Sequence, residues 1–425
     1  MRWKFRSSSL WAIPDQVVAS AGNFATTLIL SRHLTPAEFG TYALINSIVL
    51  VANGFHTNLI VSPLMVLGGS ERERDHRVYP GAALQWCALL LPLWLAGLLL
   101  ASASLHSLAT GLYAFLAVSA GQCQETVRRS LFAVARHHAA IWGDLLSYPG
   151  QALAIWVLMR TGHVSLNAAF AAMAATSLLA AVLQGRQTRL RLASREECFA
   201  IGLDFWRIAR WLLLSSIASF ASAPLLPWLL NLARGRSEVG AFQAVYSVMS
   251  LCNPLVMSIP AIIIPAVAAR RRQGGRAVWQ YTLLFETLLA PLLAAMLIWP
   301  RAVLAAMYGS GSPYCAQTFA LRIGVAACAL AVPLSAMQSV FTGLGKTRNN
   351  AVVQTAGSLL SLLFAPLLIF RLGVTGTLLV ETASRAMKTA WGAALFDWRH
   401  DRAGDDGPGW AGLQPKPGFR GVVQP

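Results

Sequence analysis

Twelve stretches of mostly apolar residues follow one another along this chain, at 11–31, 41–67, 82–102, 107–123, 141–159, 165–184, 211–230, 241–268, 279–299, 318–340, 351–370 and 373–395. Each approaches the roughly 20 residues that cross a bilayer as a helix. Such a pattern leaves few folds open. In hydrocarbon every backbone donor and acceptor must be satisfied within the protein, so only helices and closed barrels can span. Stretches of this length are too long for barrel strands. The fold class expected is an all-α membrane protein. The charge content agrees: 12% of the 425 residues are charged, against about 25% in a soluble domain.

The basic residues test the count. With the N-terminus placed in the cytoplasm, the segments on that side hold 25 Lys and Arg residues. The opposite side holds six, namely Arg32, Arg160, Arg234, Arg236, Arg301 and Arg371, and Arg322, Arg385 and Lys388 fall within spans. This is the positive-inside pattern. Adding or removing one span would invert every later loop and erase the bias, so twelve spans with both termini cytoplasmic are expected. The net charge of +17 then reads as a topology and anionic-lipid signal rather than a nucleic-acid footprint.

The first residues imitate a signal peptide, but Pro14, Asp15 and Gln16 interrupt the apolar run, which continues to Ile29. A first membrane helix is the expectation. The tail at 397–425 is Gly/Pro-rich and polar, and is expected to be a disordered cytoplasmic segment. The six cysteines are scattered and form no C-x-x-C, so neither a metal site nor a disulfide framework is expected.

The chain also repeats itself. "AEFGTYALINSIVLVAN" (Ala37–Asn53) returns as "SEVGAFQAVYSVMSLCN" (Ser237–Asn253), with Glu38, Gly40, Ser47 and Asn53 matched by Glu238, Gly240, Ser247 and Asn253. Six spans separate the copies, so both cross in the same direction, as in a parallel repeat about an axis along the membrane normal. A second echo pairs "ARHHA" (Ala135–Ala139) with "TRNNA" (Thr347–Ala351). Two six-helix bundles are expected, at 1–200 and 201–396, with a cleft between them that rocking can open to either side. The bland alternative is that Glu and Gly only mark the start of a helix.

No catalytic motif stands out. "FTGLGKTR" (Phe341–Arg348) resembles the end of a phosphate-binding loop, but Val340 occupies the required glycine position. It reads as a tight turn. There is no H-E-x-x-H, no G-x-S-x-G and no carboxylate pair at useful spacing, so no enzyme chemistry and no cofactor are expected.

Ionisable residues inside spans are costly, and each is a candidate for function. Glu381, Arg385 and Lys388 are spaced to share one helix face. That face either lines a cavity or carries a local Glu381–Arg385 bridge with Lys388 snorkelling to the cytoplasmic side. Tyr42, Asn46 and Asn53, and in the second copy Phe242, Tyr246 and Asn253, also share a face, as substrate contacts or as interhelical glue. Asp15, beside Pro14, reads either as a helix-start acid or as a coupling-ion site with Gln16 and Asn23. Glu286 is the better coupling candidate. Arg128, Arg129, Arg136, His137 and His138 form a basic hairpin that reads as a solvated face or as a place to receive an anionic headgroup.

The stretches Gly22–Leu44, Arg128–Asp144 and Phe341–Gln354 resemble the Wzx-type polysaccharide flippases of the MOP (multidrug/oligosaccharidyl-lipid/polysaccharide) superfamily, and with the two-bundle plan the resemblance covers nearly the whole chain. The spans at 107–123 and 165–184 are weakly hydrophobic for that plan. The resemblance implies a multi-pass protein of the bacterial inner membrane. It would move an undecaprenyl-pyrophosphate-linked oligosaccharide outward, with a polysaccharide polymerase and a chain-length regulator as possible partners. It carries no universal catalytic motif. A pyrophosphate headgroup needs a polar, preferably cationic cleft, and Arg385, Lys388 and Arg322 could supply the charge, with Arg129, Asn53 and Asn253 as further contacts. Glu286, Asp15 and Glu381 are the candidates for ion coupling. A drug/cation antiporter of the same fold is the nearest alternative and a membrane polysaccharide polymerase the second, although the longest outer loop, about Pro300 to Thr318, is short for an enzyme.

Overall fold

The computed structural model describes residues 12–67, 75–134, 136–188, 190–222, 224–269, 274–344 and 346–396. The tail expected to be disordered lies outside them. Fourteen helical rods fill the described residues: α1 (Ala12–His33), α2 (36–67), α3 (Asp75–Ser104), α4 (Leu108–Ala133), α5 (His137–Arg160), α6 (Leu166–Thr188), α7 (Arg195–Ser222), α8 (Leu225–Arg234), α9 (236–269), α10 (Gly274–Ile298), α11 (Pro300–Tyr308), α12 (Thr318–Gly343), α13 (Thr347–Leu372) and α14 (Val374–Leu395). α2 passes through one π turn at Thr57–Val61, and α9 through one 3-10 turn at Ser250–Cys252.

Seven of the described helices are long and apolar enough to cross a bilayer. Leu93, Leu100, Leu179, Leu283, Leu363 and Leu367 each expose more than half of their surface, as a lipid-bathed wall should. The chain is a multi-pass, nearly all-helical membrane protein. α4 is not among the seven: it buries Gln122, Gln124, Thr126, Arg128 and Ser130, which lowers its hydropathy while keeping these polar groups inside.

One expected span needs correction. The stretch 211–230 is not a single helix: α7 begins sixteen residues earlier, at Arg195, and the chain breaks before Pro224, with α8 following. Pro224 lacks a backbone donor and serves as the cap of α8. The start of α7 was missed because "REECFAIGLDFW" is too charged to read as a span. Ile201 and Phe205 bury against Ile60, Leu64, Val78 and Ala82, so this first part of α7 packs on α2 and α3. The short loop expected at Pro300–Thr318 likewise holds α11 and a 3-10 turn at Pro313–Ala316.

Packing partners repeat along the chain. α4 packs on α6, α5 on α6, α1 on α5 and α3 on α4; α12 packs on α14, α13 on α14, α7 on α13 and α10 on α12 in the same pattern. The turn before α5 and the turn before α13 share their hydrogen bonds as well. Arg136 N–H donates to the Leu131 carbonyl and Lys346 N–H to the Phe341 carbonyl, both at 2.8 Å. The second sequence echo is thus one turn built twice.

Candidate functional site

α2 and α9 carry the two copies of the first echo, and they cross at its glycines. A Cβ added to Gly40 would collide with the carbonyl oxygen of Arg236, and one on Gly240 with the carbonyl oxygen of Pro36. Each of these positions also comes within 3.2 Å of the other glycine's backbone nitrogen. Only residues without a side chain allow backbones this close. Glu38 does serve the local role of a helix-start acid, in a capping box with Thr35. Its glycine neighbour serves the crossing. Around it, Arg32 donates to the carbonyls of Ala306 (2.9 Å) and Met307 at the end of α11. Arg236 donates to the Leu105 carbonyl at 3.4 Å, and the Trp228 indole donates to Ser47 Oγ at 2.9 Å. The first half is held to the second at this end.

Away from the crossing the two helices part. Residues 39–45 of α2 are all buried, whereas Leu50 is 55% exposed and Asn53 is exposed. In α9, Val239 and Gly240 are buried and Asn253 is exposed. Between them lies a cavity of about 670 Å³. Its wall includes Asn23, Thr26 and Thr27 of α1, Tyr42, Asn46 and Asn53 of α2, Gln151 of α5, Phe170 and Ser177 of α6, and Gln243, Tyr246, Ser250 and Asn253 of α9. The polar groups are held in place. Gln151 Nε2 donates to Thr26 at 3.0 Å, and Gln122 Nε2 donates to Asn53 Oδ1 at 3.4 Å. Amides, hydroxyls and aromatic rings alternate on the wall with aliphatic side chains such as Val49, Leu50, Val118, Met173 and Leu251; no charged side chain among the described residues belongs to it.

The expected cations therefore stand elsewhere. Arg385 bridges Glu381 at 2.7 Å and donates to the Ala327 carbonyl at 2.9 Å. Tyr246, on the cavity wall, lies within electrostatic reach of both, while neither belongs to the lining itself. Lys388 does not snorkel: it is 9% exposed and lies on the bare backbone of Gly357 in α13. Arg322 is exposed and donates to the Leu297 carbonyl at 3.2 Å, at the C-terminal end of α10, a favourable place for a cation. Glu286 is half-buried on α10. Asp15 belongs to α1, but its side chain lies outside the described residues. Of the expected contacts, the structure brings together Asn53 and Asn253, with Asn23, Tyr42, Asn46 and Tyr246 beside them.

A second charged cluster corrects the reading of the basic hairpin: Arg128, expected on a solvated face or at a headgroup, is buried, because the acids Glu125 and Asp144, which the sequence reading passed over, pair with it. Arg128 is buried between two carboxylates, Asp144 at 3.0 Å and Glu125 at 2.8 Å, and Arg129 pairs with the other oxygen of Glu125. Gln184 Nε2 donates to Asp144 Oδ1 at 3.2 Å and to the Ala140 carbonyl at 2.8 Å. A polar ladder continues toward the cavity through Gln124, Ser147 and Ser177, and His56 bonds Thr126 at 2.9 Å. The signal was the weak hydropathy of 107–123, whose helix runs on into "QCQETVRR". No cluster of His, Cys, Asp or Glu able to hold a metal occurs among the described residues.

This arrangement matches solved transporters. The structure superposes on an inward-facing multidrug resistance MATE family transporter of the MOP superfamily with a TM-score of 0.70 at 14% identity, covering 90% of this chain and 97% of that one. It superposes on the lipid II flippase MurJ in an inward closed conformation with a TM-score of 0.70 at 9% identity, over 91% and 86% of the two chains. An outward-facing MATE structure gives 0.60 at 15% identity, over 92% and 97%. The fold is shared with these proteins. Neither a protein-family model nor a curated protein sequence matches the chain.

Proposed function

We propose that this protein is a flippase that carries a lipid-linked oligosaccharide, with an undecaprenyl-pyrophosphate carrier, from the cytoplasmic to the outer face of a bacterial inner membrane by alternating access. The observation that carries the reading is the cavity between α2 and α9: closed at the Gly40–Gly240 crossing and lined by amides, hydroxyls and tyrosines set among apolar side chains. Sugars present hydroxyls and weakly apolar faces, which such a wall can hydrogen-bond and stack. The twelve-span topology with both termini cytoplasmic, and the division into halves near residue 200, belong to this reading. In it the open end faces the cytoplasm, where precursors are made. Lys388 and the Glu381–Arg385 pair stand off the described lining and in this reading act on the pyrophosphate through Tyr246 or after a rearrangement. Glu286, Asp15 and Glu381 remain the candidates for coupling to an ion. Likeness to a flippase, MurJ, supports the reading at the level of fold.

The equal likeness to a multidrug resistance MATE transporter supports a drug/cation antiporter as the second reading. A cationic drug would call for an acid on the wall, and none of the described lining residues is acidic. The test is direct. Cells lacking the protein should accumulate the lipid-linked oligosaccharide on the cytoplasmic face and lose the polymer, with unchanged resistance to cationic dyes. Normal appearance of the precursor on the outer face in those cells sinks the flippase reading, and dye accumulation would favour the antiporter.

A further inference from the structure

A second cavity, of about 340 Å³, lies apart from the central one, between the far end of α2, α3 and the start of α7. Its wall is almost wholly apolar and includes Leu59, Trp86, Leu90, Phe199, Leu203 and Trp206. It is built rather than accidental. Gly202 leaves room for the Trp86 indole, which a Cβ there would strike, and Trp86 Nε1 donates to the Cys198 carbonyl at 3.0 Å. The flat rings thereby form a floor while the outer rim stays open: Phe199 is 64%, Leu203 47% and Trp206 52% exposed.

The charge beside it decides the occupant. On α7, Phe199, Leu203 and Trp206 follow at helical spacing from Arg195, which places that arginine on the same face one turn above the slot. Arg195 is exposed. Arg191 stands next to it, 58% exposed, with Glu197 at 3.8 Å as its partner. The loop that carries Arg191 is anchored to α3, by its N–H to the Arg77 carbonyl at 3.2 Å and by the close approach of its carbonyl to Gly81. Glu196 and Glu197 are the acids nearby; Glu197 closes a capping box with Ser194. An apolar slot that opens sideways, with arginines one turn above it, has the polarity of a lipid: chain below, phosphate above.

We propose that this slot holds an anionic glycerophospholipid, with one acyl chain against Trp86, Leu203 and Trp206 and its phosphate at Arg191 and Arg195. The site lies where α7 is packed on the first half before it runs on to pack against α13 of the second. A lipid there braces the joint between the halves.

The test is native mass spectrometry of the full chain, delipidated in detergent and offered dioleoylphosphatidylglycerol, dioleoylphosphatidylcholine or undecaprenyl phosphate. The wild-type chain should retain one phosphatidylglycerol in preference to phosphatidylcholine. Replacing Arg191 or Arg195 by Ala should lower that preference by about fivefold each, the effect of one basic residue at a headgroup surface. Leu203→Trp, which fills the slot from its exposed rim, should abolish the bound lipid. If a variant is not monodisperse, quenching of the wild-type tryptophan fluorescence by brominated-acyl phosphatidylglycerol against brominated-acyl phosphatidylcholine makes the same comparison. Equal retention of the two phospholipids, or retention unaffected by Leu203→Trp, overturns the proposal. Preference for undecaprenyl phosphate overturns it in favour of a carrier-tail site. Neither outcome bears on whether the central cavity translocates an oligosaccharide.

Discussion

The two halves each bury arginine among acids, and they do so differently. In the first half Arg128 and Arg129 face Glu125 and Asp144, two cations against two carboxylates, and the side chains of Arg128 and Asp144 are only 4% and 1% exposed. In the second half Arg385 and Lys388 share one acid, Glu381, and the bridge is 22% and 15% exposed. Taking two charges out of water is repaid only when geometry and further hydrogen bonds are good. The first cluster meets that condition, with Gln184 completing Asp144. The second holds one more cation than acids, with the buried Lys388 packed on Gly357. Closed neutral clusters hold a bundle together, and a charge left over is one available to a substrate.

That contrast can be broken by mutation. The largest effect should come from Arg128→Ala, which removes the buried cation that Glu125 and Asp144 share and leaves Arg129 as the cluster's one arginine. Breaking a buried pair costs about 3–5 kcal/mol, so little monodisperse protein should survive extraction, and a melting temperature equal to wild type would erase the distinction between the halves. Arg385→Ala should cost less, about 1.5–3 kcal/mol for a charge-assisted bond. The double change Glu381→Ala/Arg385→Ala should recover most of that loss, because no unpaired acid remains; failure to recover would show that the Ala327 carbonyl bond carries the stability instead.

Lys388→Met tests the leftover charge. Thermal stability should hold or rise, since a buried cation is removed and its apolar stem kept, while transport of the lipid-linked oligosaccharide falls by about tenfold, equivalent to ~1.4 kcal/mol in a barrier. Unchanged transport would reduce Lys388 to packing against Gly357. The smallest effect belongs to Arg322→Ala. An exposed cation at a helix C-terminus is worth about 0.3–1 kcal/mol; melting should shift slightly and transport should stay at the wild-type rate.

What the sequence disclosed and what it hid follow the same physics. Apolar length announced the helices, because lipid leaves such residues no alternative. The echo at Glu38, Gly40 and Asn53 announced a repeat, and it proved to mark both the place where α2 meets α9 and the cavity wall beyond it. The intramembrane charges at Glu381, Arg385 and Lys388 were conspicuous, yet none belongs to the described cavity lining, since helical spacing says which residues share a face and not what that face meets. Glu125 and Asp144 were overlooked for the opposite reason. They lie on different helices, 19 positions apart in the sequence, and only the packing of α4 against α5 and α6 brings them to one arginine. The start of α7 was hidden by its charges, which border the slot instead of crossing lipid.

The crossing of α2 and α9 has a consequence for motion. In the state seen here the backbones at residues 40 and 240 leave no space for even one methyl group. In a cycle that opens this end, the same two positions separate and the methyl has room. A Gly40→Ala substitution is therefore not chiefly a question of folding. It penalises one member of a two-state equilibrium and spares the other, and a ligand or a mutation moves such an equilibrium only by its differential cost in the two states. Carrying a population from 1:99 to 99:1 takes about 5.5 kcal/mol, and a collision with main-chain atoms, which cannot rotate aside, penalises only the closed member. On the flippase reading proposed above, a single carbon added at residue 40 should shift the resting population away from the state shut at this end.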